Sequence, residues 1–290
     1  MNSFEIPPQL FMCPQCKTKL DIDINTKKII CPSCKKEVVR DGRMLDFSLL
    51  TPRLNLQFGD YLSGLYNFAG QKQTVSDNWR IKKISEKLPK KDIRSICLEI
   101  GGADGPITPI LEGKYSVVCS IDFSKTCLQR IKSKTKKTLC LFGDGQFLPF
   151  LDNSVDVVIC TEVLEHVLVP TQLVLEIRRV LKKDGDCLLS VPNETTGLFP
   201  ATINPNQIIA HDAHLNFYDS VHLKTFLFRM GFAIQEIQTI RAPFTWKQII
   251  NLPIRFLRVG SISTHILCSI KPKNNPDDYW QSLEKTIDNT

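Results

Sequence analysis

A chain of 290 residues, 42% hydrophobic and 23% charged, is ordinary globular material with room for one large domain and a small one. It has no run of 18 apolar residues, so no membrane-spanning helix is expected, and its start lacks the basic stretch and apolar core of a secretory signal. The formal net charge of +7 is only a mild bias toward anionic partners.

Four of the eleven cysteines form "CPQC" (13–16) and "CPSC" (31–34), fourteen residues apart. Cys13, Cys16, Cys31 and Cys34 on two tight turns can make a closed tetrahedral Zn²⁺ site, a zinc ribbon. A redox CxxC comes singly after a βαβ strand, and neither condition holds here. Between the knuckles "KLDIDINTKKII" alternates and turns at Asn25 as a hairpin does. Some forty residues bury little core, so the metal is expected to supply the folding energy. Residues 1–43 carry eight Lys/Arg against five Asp/Glu, and four thiolates with Zn²⁺ remove two charges from that surplus of three. Such a module reads as a structural lid or docking piece before a nucleic-acid grip. The other seven cysteines (Cys97, Cys119, Cys127, Cys140, Cys160, Cys187, Cys268) are scattered, mostly in apolar runs. Such thiols suit a reducing compartment, and the chain reads as cytoplasmic.

The boundaries expected are a ribbon at 1–48, a helical connector at 49–90, a large domain at 91–273 and a polar tail at 274–290. In the connector, Trp79 to Leu88 has helical spacing and "LPKKD" ends it. From residue 93, apolar runs at 93–100, 115–121, 138–142, 155–160 and 187–191 read as strands, with helices at 124–135 and 171–182 between them. That alternation predicts an α/β fold, a mostly parallel sheet with helices on both faces and a ligand beyond the strands' carboxyl ends.

The first strand runs into "CLEIGGADGPIT" (97–108). Counted from Gly101 as a dinucleotide fingerprint, the second and third glycines fall on Ala103 and Pro106, so the match fails where backbone must approach a pyrophosphate. Glu99 also puts a negative charge near that position. A cationic nucleoside without phosphates fits better, and S-adenosylmethionine is one. Pro106 is expected at the first position of the next helix. Asp122 ends the second strand at an offset suited to a ribose hydroxyl pair. Asp144, in "GDGQFLPF" after the third strand, is placed to accept from an adenine amino group, with Phe147 or Leu148 on the ring.

These segments resemble the class I S-adenosylmethionine-dependent methyltransferases, of the type 11 kind. "LEIGGADG" and "SIDFS" resemble the family's first two motifs, "GDGQFLPFLDNSVDVVICTEVLEHV" its third and fourth, and "EIRRVLKKDGDCLLSVPN" the helix, glycine turn and fifth strand. The likeness continues through "HLNFYDSVHLKTFLFRMGF" to the last strand, "HILCSIKPK". It implies a Rossmann-like, seven-stranded, mostly parallel sheet, with Glu99, Gly101, Gly105, Asp122 and Asp144 at the cofactor. Phe123, Gly145 and Glu162 stand inside the same motifs and are expected there too. A glycine is more usual at Ala103. The ribbon resembles those fused to certain rRNA guanine methyltransferases and the small zinc-ribbon partner of tRNA methyltransferases.

Methyl transfer needs alignment and sometimes a base. "TEVLEH" supplies Glu162, Glu165 and His166 after the fourth strand, and "HDAH" supplies His211 and His214. His166 and His214 are the candidate bases, and a backbone-bonded, structural His166 is the bland alternative. No Asn/Asp-Pro-Pro-aromatic motif and no Pro-Cys nucleophile follow that strand, which disfavours exocyclic amine and pyrimidine C5 methylation by those routes. The basic helix 124–137 reads as a solvated face. The segment 243–260, with Trp246, Phe256, Lys247, Arg255 and Arg258, reads as a lid, an acceptor contact or a peripheral membrane contact; Pro253 breaks any long helix there. The favoured acceptor is a small molecule, lipid-linked compound or glycan. The alternatives are an RNA base, with the ribbon gripping RNA, and a module that holds cofactor and a partner without turnover.

Overall fold

The computed structural model describes residues 10–22, 28–51, 75–92, 94–193, 214–240 and 265–273. The hairpin turn at Asn25, His211, the segment 243–260 and the tail lie outside them. The elements of the first fifty residues are β1 (Asp21–Ile22), β2 (Ile29–Ile30), β3 (Glu37–Asp41) and β4 (Met44–Asp46). Then follow α1 (Val75–Lys87), β5 (Ile96–Ile100), α2 (Thr108–Lys114), β6 (Val117–Asp122), α3 (Lys125–Lys134) and β7 (Leu139–Phe142). The rest are β8 (Val155–Thr161), α4 (Pro170–Val180), β9 (Leu181–Pro192), α5 (Ser220–Arg229), β10 (Phe232–Ile240) and β11 (His265–Pro272).

Seven strands in the order β7-β6-β5-β8-β9-β11-β10 make the Rossmann-like sheet the motifs imply, parallel except for β11, which is antiparallel to both neighbours. Period-2 alternation sorts the strand side chains to two faces. Leu98, Ile100, Val158, Cys160 and Leu189 pack with Leu173 and Ile177 of α4 and Leu223 of α5. Cys97, Val157, Ile159 and Leu188 pack with Ile84 of α1 and Leu111 of α2. Cys97, Cys119, Cys140, Cys160, Cys187 and Cys268 are all buried strand residues, as small hydrophobes should be. The glycine turn expected near Gly185 is a bulge within β9: Val155 pairs with Leu181 but Val157 already pairs with Asp186. Pro106 precedes α2 instead of opening it. The helix starts at Thr108, and Pro109 takes the first-turn place where no N–H is needed.

The N-terminal strands extend this sheet. β4 pairs in parallel with β7, matching Met44, Leu45 and Asp46 to Cys140, Leu141 and Phe142, and β3, β2 and β1 follow antiparallel. Phe11 stacks 5.3 Å from Phe150 and 5.8 Å from Phe47, and Leu10, Leu20, Ile29 and Leu45 belong to the domain's own core. The Arg43 guanidinium donates to the carbonyls of Lys132, Thr135 and Thr138 at 2.8 Å, satisfying the C-terminal end of α3. Lys125 and Lys132 of α3 pair with Asp46 and Asp41 of the module. The sequence expectation that a metal alone folds these residues is therefore corrected: they share one apolar core with the sheet and cover an edge that would otherwise be open. The basic face of α3 is partly the seam that holds them.

Candidate functional site

The strands β5, β7 and β8 end at one place. Gly101 N–H donates to the Ile121 carbonyl (2.9 Å), Gly143 N–H to that of Asp122 (3.1 Å) and Glu162 N–H to that of Ser190 (3.0 Å). Beyond these last rungs the loops splay around an open cleft of about 840 Å³, solvent space included. Its walls include the apolar Ile100, Ile121, Val163 and Val167. Its polar groups are Asp122, Asp144, Glu162, Ser124 and His166; no Lys or Arg lines it among the described residues. Carboxylates without a Lys or Arg in the lining make a poor place for a pyrophosphate and a good one for a cation with hydroxyls.

Gly101, Asp122, Phe123, Asp144, Gly145, Glu162 and His166 all reach this lining; Glu99 and Gly105 do not. Glu99 lies beneath the glycine turn, where its Oε2 accepts from the hydroxyls of Ser120 (2.6 Å) and Thr108 (2.7 Å). Burial pushes its carboxyl up, and those two bonds pull it back. A methyl group on Gly102 would stand 2.4 Å from Ser120 Oγ and 2.7 Å from Glu99 Oε2, so glycine is required by what packs below the turn. Gly101, at φ +70°, would put a methyl group 2.4 Å from Val163. Phe147 and Leu148, expected on a ring of the ligand, do not line the cavity; Leu148 is in the core and its N–H donates to Glu176.

Asp122 is buried and accepts from Ala103 N–H (3.1 Å) and Ser124 N–H (2.8 Å). Burial moves its carboxyl up to about 6 despite those bonds, and the charge of Asp104 adds to the rise. Asp144 accepts from the backbone and side chain of Gln146, whose amide oxygen in turn takes Val169 N–H at the start of α4. Ala103 (φ +46°) and Glu162 (φ +56°) hold left-handed backbone without being glycine, at the cavity wall, where such strain gathers in functional sites.

Glu162 is also the hub of a network invisible to local sequence reading. Its Oε1 accepts from Ser190 Oγ (2.7 Å), and its Oε2 lies 3.2 Å from Arg80 Nη1 of α1 and 3.3 Å from His265 Nε2 of β11. Burial alone would raise its carboxyl, but His265, Arg80 and Ser190 hold it down at about 2. The partners lie 82 residues before and 103 after it in the chain, so no motif links them. His166 and His214, the two candidate bases, meet edge to face with ring centroids 4.8 Å apart, and His166 Nε2 is 3.5 Å from Glu165 Oε1.

A family model described as a methyltransferase domain matches residues 98–189, the stretch that builds this cavity. Residues 98–189 are a methyltransferase domain. A "Probable S-adenosylmethionine-dependent methyltransferase" of Mycobacterium tuberculosis is 29% identical over 124 residues, 42% of this chain and 45% of that one. A protein of Methanocaldococcus jannaschii is 33% identical over 137 residues, 47% of this chain and 56% of its own. The chain thus spans about half the length of the curated relatives it matches. Solved structures show the same class I methyltransferase fold. The N-methyltransferase NodS of Bradyrhizobium japonicum, in complex with S-adenosyl-L-homocysteine, aligns at TM-score 0.55 and 13% identity, over 75% of this chain and 98% of that one. A chain from a complex of the Haloferax volcanii Trm112 methyltransferase activator with a methyltransferase aligns at 0.56 and 17%, over 75% and 98%. The methyltransferase domain places its cavity at the carboxyl ends of β5 to β8, where open α/β sheets bind ligands.

The second cluster is in the N-terminal module. All four ligating sulfurs of Cys13, Cys16, Cys31 and Cys34 lie within 4.8 Å of one another, and Cys13 Sγ is 4.0 Å from Cys34 Sγ. A tetrahedral ion with metal–sulfur bonds of about 2.3 Å sets its sulfurs ~3.8 Å apart. The two knuckles share one geometry. Cys16 N–H points at Cys13 Sγ and Cys34 N–H at Cys31 Sγ, and Lys17 and Lys35 turn the chain at φ +56° and +60°. Burial pushes the Cys13 thiol up to about 12, so a cation is needed to hold it as thiolate.

Proposed function

We propose that this chain binds S-adenosylmethionine in the cavity and transfers its methyl group to a small-molecule, lipid-linked or glycan acceptor. The observation that carries the reading is the cavity's lining: Asp122 and Asp144, with no Lys or Arg among the described lining residues, around an apolar slot. Asp122 accepts the ribose hydroxyls, Asp144 offers acceptors toward the base edge, and Ile100, Ile121 and Val163 flank the ring. Bound there, S-adenosylmethionine supplies an electrophilic methyl on a cationic sulfonium, which the carboxylates favour. His166, in the cavity lining, would take a proton from the acceptor.

The four thiols hold a structural Zn²⁺ in this reading, fixing the turns that carry Phe11 and Met12 against the domain. The acceptor assignment is supported by what the module's charges do. Lys17 pairs with Glu176 and Lys28 with Glu37, which takes two charges from any basic track for RNA. Buried thiols support a cytoplasmic location, and no described helix is long and apolar enough to cross a membrane. The test is incubation with methyl-tritiated S-adenosylmethionine and fractionated host extract. Label in lipid, glycan or small molecules is expected; label in RNA overturns the acceptor assignment.

A further inference from the structure

The cluster that His166 forms beside the cavity asks for more than a general base. Glu165, almost wholly buried, offers a carboxylate oxygen, and His166 and His214 each offer a ring nitrogen; the three atoms lie within 4.8 Å of one another. His214 is brought there by design of the backbone. Leu215 N–H and Asn216 N–H both donate to the Glu165 carbonyl (2.7 and 3.0 Å), and Asn216 Nδ2 donates to the carbonyls of Leu164 (3.3 Å) and Val167 (2.8 Å). Four hydrogen bonds thus lock a segment some fifty residues away in sequence onto the loop that carries His166.

Two explanations compete. A charge-assisted pair between His166 and Glu165 should close to about 2.7–2.9 Å; the separation is 3.5 Å. Ligands sharing one ion at about 2.1 Å stand roughly 3.0–3.4 Å apart when adjacent, and never beyond ~4.4 Å. The His166–Glu165 separation of 3.5 Å lies close to the adjacent-ligand figure and well outside the ion-pair one, and all three donor atoms lie within 4.8 Å of one another. Two imidazoles with one carboxylate are also a donor set that first-row divalent metals take with coordination positions left open.

We propose that Glu165, His166 and His214 bind a divalent first-row ion of the Mn²⁺, Fe²⁺ or Zn²⁺ kind, separate from the cysteine cluster, with His166 serving as a ligand in place of the base role given to it above. His166 lines the cavity, so the open positions of the ion face the place where the acceptor must lie. Oxygen donors fill such positions, which narrows the acceptor to a compound carrying a hydroxyl with a second oxygen beside it, such as a vicinal diol or a hydroxy acid. This narrowing rests on the methyltransferase reading; the ion site itself does not.

The probe is Mn²⁺, added to the full-length, zinc-loaded chain and followed by its paramagnetic resonance signal, because Mn²⁺ avoids thiolates. One equivalent is expected to bind, with His214→Ala weakening it at least tenfold while zinc content and circular dichroism stay as in the parent. His166→Gln gives the same loss should His214→Ala misfold, and in the unmodified protein Mn²⁺ broadens the His166 and His214 ring resonances first. No binding, or binding indifferent to both substitutions, overturns the site. S-adenosylmethionine affinity measured on the same samples keeps the two readings apart. Its absence refutes methyl transfer here, and the Mn²⁺ result alone decides the ion.

Discussion

Replacing Glu162 by Gln removes the negative charge that Arg80 and His265 face and keeps an oxygen for Ser190. The carboxyl sits at about 2 in the fold against 4.5 for an ordinary glutamate. At 1.36 kcal/mol per pH unit, that difference corresponds to about 3 kcal/mol of stability at neutral pH. The sign follows from the depressed value: the contribution is whole above about pH 4.5 and is lost as pH falls toward about 2. Because the side chain is only 16% exposed, solvent screening takes little from this. Urea unfolding of the parent and E162Q is the assay. At pH 7 the gap should be about 3 kcal/mol, and at pH 3 it should shrink to about 1 kcal/mol as the parent's carboxylate begins to take its proton. A gap that stays constant with pH, or one near zero at pH 7, would refute the network as drawn.

Asp122 behaves in the opposite sense. Its carboxyl is raised to about 6, so folding is favoured as pH falls through 6, yet a protonated Asp122 no longer accepts both ribose hydroxyls. S-adenosylmethionine affinity should therefore drop below pH 6, toward tenfold per unit, and Asp122→Asn should flatten the profile; calorimetric titration from pH 5 to 8 reads it. Ala103→Gly should stabilise by roughly 1 kcal/mol in thermal melts, since alanine at φ +46° carries left-handed strain that glycine does not. Gly102→Ala should force the turn off Ser120 and Glu99 and weaken cofactor binding more than tenfold by the same titration; unchanged affinity would show that the turn relaxes freely. Chelating the tetrathiolate metal should lower the melting temperature of the whole domain in one transition, because the module and sheet share a core. Two separate transitions in calorimetry would contradict that.

β5, β6 and β7 were legible because each is a short apolar run closed by a glycine or an aspartate, and the turn after β5 was read as a poor pyrophosphate site from Ala103, Pro106 and Glu99. Glu99 was expected at the cofactor, whereas it lies under the turn and outside the cavity lining. Only packing against Ser120 and Thr108 tells the two apart. The module's cluster of four cysteines was plain from spacing, whereas its pairing with β7 was not, since parallel pairing across some ninety residues leaves no local signature. The Arg80–Glu162–His265 network and the meeting of His166 with His214 were hidden for the same reason. Each joins segments that only the assembled sheet and its loops bring together.

The most direct test of the account is a pair of calorimetric titrations of the full chain, one with S-adenosylmethionine and one with NAD. The account predicts one S-adenosylmethionine site per chain, lost in Asp122→Ala, and no heat from NAD. Binding of NAD, or no binding of S-adenosylmethionine, would contradict it.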